Sequence, residues 1–234
     1  MSRTTIDHFQ TLPQSELEAM RDAGQWVLEC HRILHKTSDN IVGEVLRGNG
    51  PFIELDHFPP GDVHDAATHS QYYYHAHRTG EHGHFHTFVR GAQAATVQPV
   101  AQSQMEYMDE RDDTICHLIA ISMDNAGFAT GLFTTNRWVT AQNWFDANDT
   151  VGLLNQFEMD LAPPSWPLNI WMSNMLRLFR PQIIDLIHLR DTTVAAWRTD
   201  HLNTDVFEDR GLEITSQTPI SVEHQIALIN QALA

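Results

Sequence analysis

The sequence is short of cysteine, short of positive charge and without a long hydrophobic run. Its two cysteines, Cys30 and Cys116, are too few for a disulfide framework and form no Cys-x-x-Cys pair, which excludes the usual zinc-ribbon and dithiol redox motifs. Lysine and arginine number 14 against 30 aspartates and glutamates, a formal net charge of −16 with histidine neutral. So acidic a chain is a poor binder of nucleic acid or of an anionic membrane. No apolar stretch reaches the ~18 residues that mark a membrane span. The first residues, Met1 to His8, lack the basic and apolar regions of a secretory leader, so the expected location is cytoplasmic. Gly-x-Gly-x-x-Gly, the Walker loop, His-Glu-x-x-His and Gly-x-Ser-x-Gly are also missing.

What the chain has in excess is histidine, concentrated in one place. Eight of its 15 histidines fall between residues 57 and 86, where an even spread would put about two. The densest part runs Tyr72-Tyr73-Tyr74-His75-Ala76-His77-Arg78-Thr79-Gly80-Glu81-His82-Gly83-His84-Phe85-His86-Thr87-Phe88-Val89. Its histidines keep an i, i+2 spacing that breaks only at Thr79-Gly80-Glu81. Side chains two apart on a strand share a face, and imidazoles gathered on one face are the donor set of a metal site.

Gly80-Glu81 suits the centre of a two-residue type II′ hairpin turn. That turn pairs Thr79 with His82, His77 with His84, His75 with His86 and Tyr73 with Phe88. All five histidines then lie on one face. Tyr72, Tyr74, Ala76, Phe85, Thr87 and Val89 form the other, packed on a core, and Arg78 points to that second face. Opposed Cβ atoms ~4.5–5.5 Å apart let cross-strand histidine pairs converge on one ion.

The reading is a metal site of His75, His77, His84 and His86 around one divalent transition metal. Zinc, iron and manganese all fit, because imidazole does not choose among them. Three histidines and an open position would admit water or a small-molecule substrate. Zinc would support metal-assisted hydrolysis, and iron or manganese oxygen or redox chemistry. Glu81 and His82, at the turn, are candidates for acid/base work, and Tyr73 for a hydrogen bond to a bound species. Two other classes remain open. One is a metal-binding or sensing protein in which four histidines close around the ion. The other is a metal-free histidine-triad-like hydrolase or pH-responsive domain, its imidazoles titrating together near ~pH 6. His8, His31, His35, His188, His201 and His224 read as surface or helix-face residues, and Asp62, His64, Asp65 and His69 as turn formers.

Along the chain, helical spacing of Leu17, Met20, Trp26 or Val27, Cys30 and Leu34 follows Pro13-Gln14-Ser15. Residues 40–47 are ambiguous. A strand is expected over Phe52–Phe58, a turn at Pro59-Pro60-Gly61-Asp62, and a loop over 61–70. Thr114–Met123 reads as a strand with Ile115, His117, Ile119, Ile121 and Met123 on one apolar face, where His117 reads first as a core residue with one hydrogen-bond partner and, as the alternative, as a ligand of the site or a residue behind one. A turn at Asp124-Asn125-Ala126-Gly127 leads to Phe128–Thr135, and Arg137 follows, placed for an ion pair. Helices are expected near 151–157, over Pro167–Phe179, from Pro181 to about Thr199, and over Val222–Leu233 capped by Ser221, with a short strand near Leu212–Thr215. This order predicts an α+β fold, an antiparallel sheet with a His-rich hairpin packed on one face by N- and C-terminal helices. It is expected as one domain over 1–234, about 1–148 helix plus sheet and about 149–234 mainly helical. The oligomeric state is not readable.

His75-x-His77-x-x-x-Glu81 resembles the first cupin metal motif, without its glycine spacing or the second motif. His82-x-His84-x-His86 resembles the histidine-triad nucleotide hydrolases and transferases, in which one histidine attacks phosphorus; those enzymes place no second His-x-His on the neighbouring strand. Asp146 to Gly152 faintly resembles a calcium loop with its glycine one position late. Over most of the chain, Tyr73-Tyr74-His75-Ala76-His77-Arg78, Glu81-His82-Gly83-His84-Phe85-His86, His117 to Met123 and Leu132 to Val139 resemble a bacterial family with no assigned activity. That resemblance implies that the histidine hairpin is the family's centre and supplies no reaction.

Overall fold

The computed structural model describes residues 9–102 and 114–234; His8 lies outside them. Six strands form one antiparallel sheet in sequence order. They are β1 Phe58–His64, β2 Ser70–His75, β3 Gly83–Arg90, β4 Ile115–Met123, β5 Ala129–Thr135 and β6 Ile214–Pro219. Helices α1 Gln14–His35 and α2 Ile41–Leu46 precede the sheet. Short α3 Gly91–Ala94 and α4 Arg137–Thr140 follow β3 and β5. The helices α5 Ala147–Leu154, α6 Trp166–Leu178 and α7 Arg180–Asp200 come before β6, and α8 Val222–Leu233 comes after it.

The α+β expectation holds, with helices layered on one face of the sheet. In α1 the buried stripe is Leu17, Met20, Ala23, Val27, Cys30 and Leu34, at helical spacing. Val27 takes the core place and Trp26 stays 47% exposed. The ambiguous 40–47 stretch becomes α2 because the Asn40 side chain accepts the Gly43 amide at 2.9 Å. From β2, the Tyr72 hydroxyl donates to Asn169 Oδ1 of α6 at 2.7 Å. From β3, Phe85 packs on Trp171 of α6 with ring centroids 5.7 Å apart. From β6, Ser216 Oγ donates to the Leu186 carbonyl of α7 at 2.8 Å. Tyr72, Tyr74, Phe85 and Val89, predicted as the core face of the hairpin, belong to the main hydrophobic core.

The edges of elements differ from expectation for identifiable reasons. The expected strand over Phe52–Phe58 does not form; β1 starts at Phe58 and runs through the prolines read as a turn. It is an edge strand, pairs only with β2 and loses register between Phe58 and Val63. Prolines, which cannot donate to a ladder, are confined to such positions. β6 begins two residues later than Leu212 and runs to Pro219. The 124–127 turn, the α6 and α7 helices and the Ser221 cap of α8 stand where the sequence places them. The Asp146–Gly152 stretch is a helix N-cap and first turns, with Asp146 accepting from the Asp149 amide.

The hairpin register also differs. Observed pairs are His75 with His84, Tyr74 with Phe85 and Tyr73 with His86, so each β2 residue meets β3 two positions earlier than a two-residue turn requires. Residues 76–82 form a seven-residue connection between strands ending at His75 and starting at Gly83. Gly83 permits this. A Cβ there would lie 2.6 Å from Tyr74 Cζ and 2.7 Å from the His75 carbonyl oxygen, so the Tyr74 ring occupies the space a side chain would need. A shift of two preserves the faces, as one residue would not. The β3–β4 pairing breaks between Thr87 and Phe88 in a bulge that leaves Leu118 unpaired. Ile119, Ile121 and Met123 keep the core side with the helices, while His117 pairs with Phe88 and joins the histidine face. The expectation of one apolar face carrying all five β4 residues is corrected by that bulge.

Gly83→Ala should therefore cost about 1–3 kcal/mol, the usual range for overpacking, since the nearest atoms include rigid backbone. Urea denaturation of the variant should show a lowered midpoint with unchanged m-value. An unaltered midpoint would mean that Tyr74 does not hold the register.

Candidate metal centre

The face turned away from the helix layer carries Tyr73 and His75 from β2, His84 and His86 from β3, and His117 from β4. His77 follows two residues after His75 in the 76–82 loop and is exposed, whereas His75, His84, His86 and His117 are buried. His75, His77 and His84 each offer a ring nitrogen within 4.8 Å of the others. Their ring centroids are 4.9 Å (His75–His77), 5.1 Å (His77–His84) and 4.5 Å (His75–His84) apart. These three can hold a metal ion.

Protonation follows from the partners. His84 Nδ1 lies 2.5 Å from Glu81 Oε1. Burial raises the Glu81 carboxyl, but hydrogen bonds from His84 and Ser122 and the charges of His84 and Arg78 outweigh it and hold the group below its ordinary range. An ionised carboxylate can only accept, so His84 Nδ1 carries the proton and Nε2 presents its lone pair. That Nε2 faces His75 Nε2 at 2.7 Å. Burial first, then the neighbouring charges of His84, His77 and His57, push His75 down to about 2. Burial also lowers His84 against the opposing pull of Glu81. The buried imidazoles are thus neutral, the state in which nitrogen binds a metal.

His86, expected as the fourth ligand, stands apart from the group. Its Nδ1 lies 2.9 Å from His117 Nε2. Its own Nε2 is buried with no hydrogen-bond partner among the described residues, and its ring centroid is 4.8 Å from that of His84 and 5.1 Å from that of His75. Burial drives His86 well below its ordinary value and His117 down to about 3. His82 leaves the histidine face altogether. Its Nδ1 is 2.7 Å from the Tyr74 hydroxyl and its ring stacks on Phe52, which corrects the reading of five histidines on one face. Tyr73 is on the ligand side, as expected, with its ring between His57 and Phe88 at centroid distances of 3.6 and 5.6 Å.

Two features of the site escaped the sequence. Arg78, expected on the opposite face, reaches back over the histidine side. Its guanidinium sits 4.4 Å above the Phe133 ring centroid and 3.8 Å from Glu81 Oε2, because the loop is longer than a tight turn. His57, from the stretch expected as a strand, lies flat on Tyr73 and edge-on to His75. Its Nδ1 donates to Asp62 Oδ1 at 2.9 Å, and Asp62 also accepts from Gln71 Nε2 at 2.6 Å. Gln71 Oε1 in turn accepts from Arg90 at 2.8 Å. No motif spacing announces a contact that depends on a bulged edge strand. Asp65 and His69, by contrast, serve the β1–β2 turn as expected, Asp65 accepting the Ala67 and Thr68 amides. Arg137 makes its expected ion pairs, with Asp205 and Glu208.

A family model described as a domain of unknown function (DUF6969) matches residues 21–220. No match is found among curated proteins or among solved structures. No described helix is long and apolar enough to cross a membrane.

The depressed histidines fix a pH dependence. An unfolded histidine takes a proton near 6.5, while His117 in the fold resists until about 3. Below pH 6.5 the unfolded state binds more protons, so stability is full above that value and falls as the pH drops. Each such histidine contributes a slope of about 1.4 kcal/mol per pH unit. For metal-free protein, urea titrations between pH 6.5 and 4.5 should show this loss, and His117→Gln should remove one histidine's share. An equal slope in the variant would show that His117 is not held neutral.

Proposed function

We propose that the chain, which belongs to the DUF6969 family, is a metal-dependent enzyme with a three-histidine site for one divalent transition metal. The observation that carries this reading is the arrangement of His75, His77 and His84 around a common point with the far nitrogen of His84 tied to Glu81. A carboxylate on the outer nitrogen of a ligating histidine fixes its tautomer and raises its basicity, and metal-binding histidines almost always donate that nitrogen to a carboxylate, a backbone carbonyl or water. Two ligand nitrogens on one tetrahedral ion at ~2.0–2.1 Å stand roughly 3.3 Å apart. The His75 and His84 tips would part slightly to admit the ion.

Three protein ligands leave a position open, and His77 on the exposed loop puts that position within reach of a small molecule. An ion held there supplies Lewis acidity for hydrolysis or, if iron or manganese, oxygen or redox chemistry. His75 and His84 orient the ion from the rigid sheet, and Glu81 keeps the proton of His84 on the nitrogen that faces away from it. The Nε2 of His86, one ring away and without a hydrogen-bond partner among the described residues, favours a second reading. A modest ring movement would bring it in as a fourth ligand and close the site, as in a non-catalytic metal-binding protein.

Plasma mass spectrometry of untagged protein should find close to one transition metal per chain, lost in the His75→Ala/His84→Ala double variant. Glu81→Gln should weaken metal affinity by about 10–100-fold. Metal retained by the double variant would dispose of the site. With cobalt bound, azide should alter the visible absorption if a position is open; an inert spectrum, together with His86→Ala as damaging as His75→Ala, would establish the closed four-histidine site instead.

A further inference from the structure

We propose that the cavity beside Arg78 is a binding site for a small-molecule carboxylate. The cavity holds about 470 Å³ and opens at the β5–β6 end of the histidine face, lined by Arg78, Glu81, Ser122, Phe133 and Gln217 with small neighbours such as Gly131. It lies on the Glu81 side of His84, and none of the three clustered histidines lines it. The assignment therefore needs no ion at His75, His77 and His84.

The lining contains one cation and one acid. The acid, Glu81, is covered, with its side chain 8% exposed, and one of its oxygens accepts from His84. The cation, Arg78, keeps 24% of its side chain accessible. Its carboxylate neighbour is 3.8 Å away, beyond hydrogen-bond reach. The Phe133 ring, its centroid 4.4 Å from the guanidinium carbon, supports the cation from one side. An arginine that lines a cavity and rests on an aromatic ring offers a guanidinium fork to a planar carboxylate, which takes two parallel hydrogen bonds. In a chain of net charge −16, such a cation is the local feature that draws an anion in. A monocarboxylate adds one negative charge beside the Arg78–Glu81 pair, whereas a phosphate dianion would add two and meet more repulsion from Glu81. Ser122, Thr130, Gln217 and Thr218 around it suit hydroxyl or amide groups on the rest of the ligand.

Gly131 gives the site its floor. It pairs with Ser122 and Pro219 and so faces the histidine side. An added Cβ would meet its nearest neighbours at 3.5 and 3.6 Å, ordinary contact distances. A larger side chain thus fits the strand and projects into the cavity.

The test is a nitrogen–proton correlation titration of metal-free protein with lactate, a monocarboxylate, with lactamide as the neutral control. Lactate should shift the Arg78 Nε–H signal and the Gly131 and Thr218 amides saturably, and lactamide should not. Arg78→Met, which keeps the stem over Phe133, should weaken lactate binding about tenfold or more. Gly131→Val should abolish it while leaving the rest of the spectrum in place. Undiminished binding in both variants, no saturable shift at these signals, or tighter binding of inorganic phosphate than of lactate would overturn the assignment. None of these outcomes depends on whether the histidines bind a metal.

Discussion

The two-residue period of the β-strand is the constraint on which this structure depends. One strand must serve two chemistries, because alternate side chains go to opposite faces. On β2 and β3 the residues that alternate with Tyr72, Tyr74, Phe85 and Thr87 are Tyr73, His75, His84 and His86. The first set anchors the sheet to α6 through Asn169 and Trp171, and that anchoring leaves the imidazoles no other side to occupy. Burial of the aromatic face thereby supplies the free energy that holds several polar rings together on the other.

This explains what was legible in the sequence and what was not. The face assignment of His75, His84 and His86 survives because the actual register differs from the expected one by two residues, an even number. The identity of facing partners does not survive, since it depends on loop length, and loop length was set by the Tyr74 ring over Gly83, a contact between residues nine apart that no turn propensity encodes. His117 was misplaced for the complementary reason. The bulge at Leu118 shifts parity by one within a strand that reads as continuous, so the sequence pattern is right on one side of the bulge and inverted on the other. His82 fails likewise. Its i, i+2 relation to His84 implies a shared face only within a strand, and β3 begins after it, at Gly83.

The longer helices were more legible, because their signals are local: Ser221, read as a cap, accepts an amide from its own first turn. Asn40, Asp146 and Ser165 cap their helices in the same way, but the sequence left 40–47 ambiguous and did not single out the other two as caps. The expected strand over Phe52–Phe58 had no such local guarantee. Its alternation is real, but the segment's aromatic residue Phe52 stacks on His82 and packs at a tilt against Phe58, so tertiary packing took the positions that the pattern had allotted to a ladder.

The candidate site is electrostatically consistent with its place in the fold. Five imidazoles near one another would be intolerable if charged, and burial resolves this by keeping His75, His86 and His117 neutral. Neutral imidazoles in a protein interior still need partners. Pairing His86 with His117 satisfies one nitrogen of each ring, and Glu81 satisfies the outer nitrogen of His84. What remains is the His75–His84 contact, two Nε2 atoms at 2.7 Å: with the His84 proton on Nδ1, His75 Nε2 can donate to the His84 lone pair. The proposed cation would take the place of that proton, and the loop that carries Glu81 also brings His77 to the same group. The rigid sheet contributes the two buried nitrogens and the loop contributes the third, together with Arg78 toward the neighbouring cavity. That division is the usual one for functional sites, in which a scaffold fixes position and a connection adds chemistry.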